Sequence, residues 1–176
     1  MNRSLAVLAL ASCTVLANAQ STIKDSLVKH WKTSGEFTLA VAKAMPAESY
    51  SFRPVPEEMT FAQLMGQVAL ANANACTNAS GMSAPSTPDA IKRGMEDQKG
   101  EIDKDTVVSF LTTTFDFCNQ AVASMTPEKL DAVVGTRRKM TGFEWLWAYF
   151  THTAHHRGQA EVYLRLKGIK PPNYTF

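Results

Sequence analysis

Residues 151–168 read THTAHHRGQAEVYLRLKG. Helix formers dominate this run, and Gly168 followed by Pro171-Pro172 is a strong stop signal. Traced back to Thr141, the pattern predicts a long terminal helix over 141–167. At about 100° per residue, His152 and His156 lie some 40° apart on one face of such a helix. Trp145, Ala148, Tyr149, Gln159, Tyr163 and Leu166 fall on the same face, which predicts that both histidines point into the protein. His155 is expected at the flank of that stripe. Arg157 and Glu161 are expected to point away, Arg157 into a structural salt bridge, and Gly158 to allow close helix packing.

Upstream, the same 3.6-residue logic finds three more long helices. The first spans about 22–44, with Leu27, Trp31, Phe37, Val41 and Met45 in rough register, and Met45-Pro46 stops it. Residues 47–59 form a loop with two prolines. Thr60 is an N-cap for a helix in which Phe61, Leu64, Met65, Val68 and Ala75 share a face, ending near Ser80-Gly81. A polar connection follows, with one helical turn or two after Thr87. The third long helix runs over about 104–125, and Thr126-Pro127-Glu128 opens a short helical piece. Residues 131–140 read as irregular or extended. Four long helices in a chain of 176 residues imply an all-α, single-domain four-helix bundle.

The first residues, MNRSLAVLALASCTVLANAQ, read differently. A basic start, an apolar run over Leu5–Ala17 and the small-x-small triplet Ala17-Asn18-Ala19 form the pattern of a secretory signal peptide covering 1–19. The mature domain is then 20–176, exported to the periplasm or beyond. The run is too short for a stable membrane span. Cys13 also fits a lipoprotein box, a lesser alternative given the brevity of the apolar stretch before it. Without residues 1–19 the chain carries 17 basic and 16 acidic side chains, a balance that gives no electrostatic reason to expect nucleic acid. Cys76 and Cys118 remain, a disulfide candidate in an oxidising compartment, although sequence does not show that they meet.

Two imidazoles at i and i+4 can share a metal ion, but a third ligand must come from another helix. The other reading is a pair of buried histidines bonded to polar neighbours. Zincin chemistry is excluded because Thr153 follows His152 where HExxH places its glutamate. Neither a GxSxG elbow, a Walker loop nor a dinucleotide fingerprint is present. His30 reads as an edge residue, Glu144 and Glu161 as solvated, and Trp145, Trp147, Tyr149 and Tyr163 as core that also walls an apolar pocket above the histidines. With no flanking charge to activate a thiolate, Cys76 and Cys118 read as a staple or as buried thiols.

The segments HTAHHRGQAEVYLRLKGIKPPNY and TFAQLMGQVALANANAC resemble the DinB-like (DinB/YfiT) superfamily over essentially the whole mature chain. Its members are four-helix bundles with long crossover connections, many of them metal-dependent enzymes. The match falls on His152, His156, Arg157, Gly158, Gln159, Arg165 and Pro171-Pro172. The resemblance implies that His152 and His156 ligate a divalent metal, zinc or nickel, between the second and last long helices. It puts the third ligand at Gln67, where the family normally has histidine, and Leu70 where exported relatives often have aspartate. An amide oxygen is a weaker ligand than imidazole for such ions. Three imidazoles with an open position bring water ionisation near neutrality, and two with an amide lower the affinity. Gln67 alternatively hydrogen-bonds the histidines in a dry polar knot.

The resemblance also accounts for the cysteines, since exported members carry one late in the second helix and another in the third. Characterised relatives include thiol-dependent transferases and isomerases, a chemistry normally cytoplasmic, so export weakens transfer of the specific reaction. Two functions stay open: a metal-dependent transferase or hydrolase acting on a small molecule, and a non-catalytic ligand-binding or stress-related bundle with a lapsed metal site. Related bundles commonly dimerise, while no exposed apolar stripe in this sequence demands it.

Overall fold

The computed structural model describes residues 3–96 and 101–175, with side chains from Thr22 onward. The proposed leader, Cys13 included, therefore lies outside the residues whose side chains are described. The long helices are α1 (Arg3–Ala44), α2 (Phe61–Ser80), α4 (Lys104–Ala123) and α6 (Gly142–Leu166), with short α3 (Asp89–Glu96) and α5 (Pro127–Asp131) in the connections. Two strands the sequence reading did not resolve, β1 (Val133–Val134) and β2 (Met140–Thr141), pair antiparallel inside the stretch read as irregular or extended.

Four of these helices start where side-chain chemistry satisfies orphan amides. Thr60 with Gln63 and Thr141 with Glu144 form reciprocal capping boxes, and Asp103 and Thr126 cap α4 and α5. Two lysines close helix ends from elsewhere in the chain. Lys104 Nζ donates to the Lys43 and Met45 carbonyls at the end of α1 (both 2.8 Å), and Lys129 Nζ donates to the Ser80 carbonyl at the end of α2 (2.9 Å). A cation there also meets the negative end of the helix dipole.

α2 packs against α4 and α6, and α1 closes the other side against the same two helices. α1 and α2 are thus diagonal partners, as are α4 and α6. Contacts fix the directions. Lys104 at the start of α4 meets the end of α1, so these run antiparallel. Trp31 meets Phe150 and Ser34 meets Arg157, so α1 and α6 run parallel. Tyr163 Oη, late in α6, donates to the Met59 carbonyl just before α2 (3.0 Å), so α2 and α6 are antiparallel. Up-down-down-up is the result, so the end of α2 and the start of α4 lie at opposite ends of the bundle. Gln63 Nε2 ties down the crossover between them by donating to the Gly94 carbonyl of α3 (2.8 Å).

Cys76 and Cys118 are joined, with Cα atoms 5.5 Å apart, linking α2 and α4. At the middle of the bundle α1 and α4 nearly touch: a Cβ on Gly35 would lie 2.8 Å from the Phe115 ring. The apolar core falls into two clusters, one around Phe37, Met45, Phe61, Leu64 and Leu164, the other around Trp31, Cys76, Cys118, Trp145 and Leu146. Buried polar side chains from all four long helices, among them Ser34, Thr38, Asn72, Thr114, Thr153 and Arg157, populate the middle level. Among the described residues no helix is long and apolar enough to cross a membrane.

Candidate metal centre

The buried line of α6 is Gly142, Trp145, Leu146, Thr153, Arg157, Ala160, Tyr163 and Leu164. This corrects the stripe read from the sequence, which lies about one residue further round. Leu166 is exposed, and His152, His156 and Gln159 sit half-buried at the rim of the core rather than within it. Arg157 is the largest departure. It points inward: Nη1 donates to Ser34 Oγ (2.9 Å), the Ser34 carbonyl (3.3 Å) and Thr38 Oγ1 (3.3 Å), with the guanidinium 4.6 Å from the Phe37 ring centroid. No salt bridge to Arg157 is found among the described residues. Hydroxyls, a carbonyl and an aromatic face take the place of a carboxylate. Gly158 is exposed and a Cβ there would meet nothing within 4 Å, so it serves no close packing. Trp147 is 54% exposed, against the expectation of core, whereas Trp145 and Tyr163 are buried and His30 is half-buried at the α1 edge.

The two histidines do converge. Their Nε2 atoms are 3.0 Å apart, and His156 Nδ1 lies 2.8 Å from Gln159 Oε1. The amide oxygen can only accept, so His156 carries its proton on Nδ1 and its Nε2 lone pair accepts the Nε2–H of His152. His152 Nδ1 is then a lone pair, buried and without a partner. Burial, reinforced by His156 and His155, holds His152 down to about 4, and burial also lowers His156 against the opposing pull of Gln159. Both rings are neutral at pH 7, the form in which imidazole binds metals. With metal–nitrogen bonds of about 2.0–2.1 Å, two ligands at right angles put their donors about 2.9 Å apart and tetrahedral ones about 3.4 Å. The observed separation matches the right-angled arrangement.

Gln67 is half-buried in a row on α2 with Leu70, Asn74 and Asn78. The hydrogen bond from Thr153 Oγ1 to Asn72 Oδ1 (3.0 Å) sets the level of α2 against α6. Five residues back along α2 and five forward along antiparallel α6 each cover about 7.5 Å, so Gln67 stands within about one turn of His156. No hydrogen bond joins Gln67 to either histidine among the described residues; the partner of His156 is Gln159, which the sequence reading put on the right face without giving it that role. No group of three or more His, Cys, Asp or Glu side chains suited to a metal ion occurs among the described residues. The donor set is two neutral imidazoles with an amide nearby, which fits a weakly held divalent ion.

A helical bundle with a half-buried His-x3-His pair on its last long helix defines a class of small helical proteins. This chain belongs to the DinB superfamily, whose family model matches residues 30–160. Its fold is similar to that of a DinB-like protein from Bacillus cereus (TM-score 0.70, 18% identity, covering 86% of this chain and 97% of that one). A DinB-like protein from Bacillus subtilis is also similar (TM-score 0.67, 20% identity, 85% and 96% covered). At these identities the likeness is one of fold. No match is found among curated proteins.

Proposed function

We propose that this chain is an exported DinB-like protein that holds a divalent ion, zinc or nickel, at His152 and His156, with Gln67 as the third and weakest donor. The convergence of the two Nε2 atoms at 3.0 Å carries the reading. Such an ion, when bound, supplies Lewis-acid activation to a transferase or hydrolase acting on a small molecule. The protein's own part is to keep both rings neutral by burial, to orient His156 through Gln159, and to present the pair half-buried at the rim of the core.

One observation favours a second reading, a ligand-binding bundle whose metal site has lapsed. Freeing both Nε2 lone pairs requires the His152 proton to move to Nδ1, where no acceptor stands. Together with the amide at Gln67, this lowers affinity twice over. Elemental analysis and zinc titration of the native protein, of Gln67→His and of the His152→Ala/His156→Ala pair decide between them. The metal reading expects zinc uptake by the native protein, tighter uptake by Gln67→His and none by the double variant. Uptake by Gln67→His alone establishes the lapsed site.

A further inference from the structure

A cavity of about 450 Å³ is lined by Asn74 and Asn78 of α2, Trp145 and Tyr149 of α6, and Thr136, Arg137 and Arg138 of the β1–β2 hairpin. Its volume suits a small molecule. The lining has a cationic side and an aromatic side, and no acidic residue contributes to it. Neither guanidinium has a hydrogen-bond or ion-pair partner among the described residues. On the other side Tyr149 stacks on Trp145, centroids 5.6 Å apart and planes 19° from parallel. Asn78 Nδ2 donates to the Asn74 carbonyl (2.8 Å) and to Asn74 Oδ1 (3.0 Å), which leaves Asn74 Nδ2 as an uncommitted donor.

The hairpin is held in place over the cavity. Its strands pair Val133 with Thr141 and Val134 with Met140, and Trp145 Nε1 donates to the Val134 carbonyl (3.4 Å). Gly135 turns the chain with φ +99°, and a Cβ there would collide with the Arg138 carbonyl. The turn therefore fixes where the guanidinium-bearing residues begin. Tyr149 joins the cavity to the histidine pair, since it lines the cavity and its ring centroid is 5.5 Å from that of His152.

We propose that this cavity is the substrate subsite beside the histidine pair and takes a small organic anion with a planar body. Arg137 and Arg138 receive its carboxylate or phosphate, Asn74 adds a donor, and the Trp145–Tyr149 stack receives the ring or conjugated plane. Its remaining end then lies toward His152. This deepens the reading above by naming the substrate class of the same site, but the anion contacts do not require the metal.

Isothermal titration of the whole mature protein, metal-free and after zinc addition, tests it with benzoate, phenyl phosphate, benzamide, acetate and inorganic phosphate. At least one of the two ringed anions binds, and the tighter of them names the headgroup. Neutral benzamide and the ringless anions bind about ten-fold more weakly or worse. Arg137→Gln/Arg138→Gln weakens the ringed anion by about ten-fold or more, with zinc uptake and thermal midpoint unchanged. Benzamide as tight as benzoate, ringless anions as tight as ringed ones, no binding of either ringed anion, or an unaffected double variant each overturn the proposal. Benzoate binding without zinc uptake sinks only the metal reading, and zinc uptake without anion binding sinks only this one.

Discussion

α6 shows two polar faces, and they are treated in opposite ways. Toward α1, Arg157 is buried and its contacts to Ser34, Thr38 and Phe37 close the interface. On the other, the histidines and Gln159 are half-buried and bonded chiefly to each other, and His152 Nδ1 has no partner. A polar side chain that a neighbouring helix satisfies holds the bundle together. One that no neighbouring helix satisfies is available for something from outside. Substitutions should therefore remove stability on the first face and binding on the second.

The largest effect expected is on α2, which packs against α6. Reduction of the Cys76–Cys118 link, which spans 42 residues, should lower stability by about 4 kcal/mol in the chain-entropy picture. Urea unfolding with and without reductant measures this, and two titratable thiols in the native protein would contradict it. Next, Arg157→Ala should lose about 3 kcal/mol, since packing and several hydrogen bonds disappear together, while zinc uptake stays native. A variant that folds normally but has lost metal would invert the contrast between the faces.

On the second face, His152→Ala/His156→Ala should change stability by no more than about 1 kcal/mol in metal-free protein and abolish zinc uptake. The pH profile sharpens this point. His152 has a folded pKa near 4, below its unfolded value, so the unfolded chain binds more protons in between. Stability of the metal-free protein should be fully present above about pH 6.5 and fall as the pH drops towards 4. His152→Ala should flatten that fall, and an unchanged slope in the variant would show that His152 is not its source. The smallest effect belongs to the outer side of α6, where Gly158→Ala should add about 0.5–1 kcal/mol in thermal or chemical unfolding, because nothing obstructs a Cβ there.

The helices were legible because caps, prolines and terminal glycines punctuate them, and the His-x3-His spacing pointed to two rings that do meet. Orientation around α6 was less legible. This helix packs on both α1 and α2, so buried positions wrap around it, and the polar Thr153 and Arg157 occupy the very line a hydrophobic stripe should fill. A reading anchored on Tyr149 and Leu166 consequently turned Arg157 outward. The basic hairpin was missed for a different reason. Two-residue strands are too short for period-two alternation, and the surviving signals were Val133-Val134, a glycine, and three consecutive cations at Arg137, Arg138 and Lys139. Gln159 was placed on the histidines' face without a role, since nothing in the spacing says that an amide will bond the ring three residues before it.

The link between α2 and α4 has a further consequence. These helices run in the same direction, and the long crossover of residues 81–103 lies between the two cysteines. Residues 76–118 consequently form a closed covalent ring. A protease that cuts once within the crossover opens the ring without separating the chain, so both pieces migrate as one species until reductant is added. A single cut in that connection therefore does not halve the molecule.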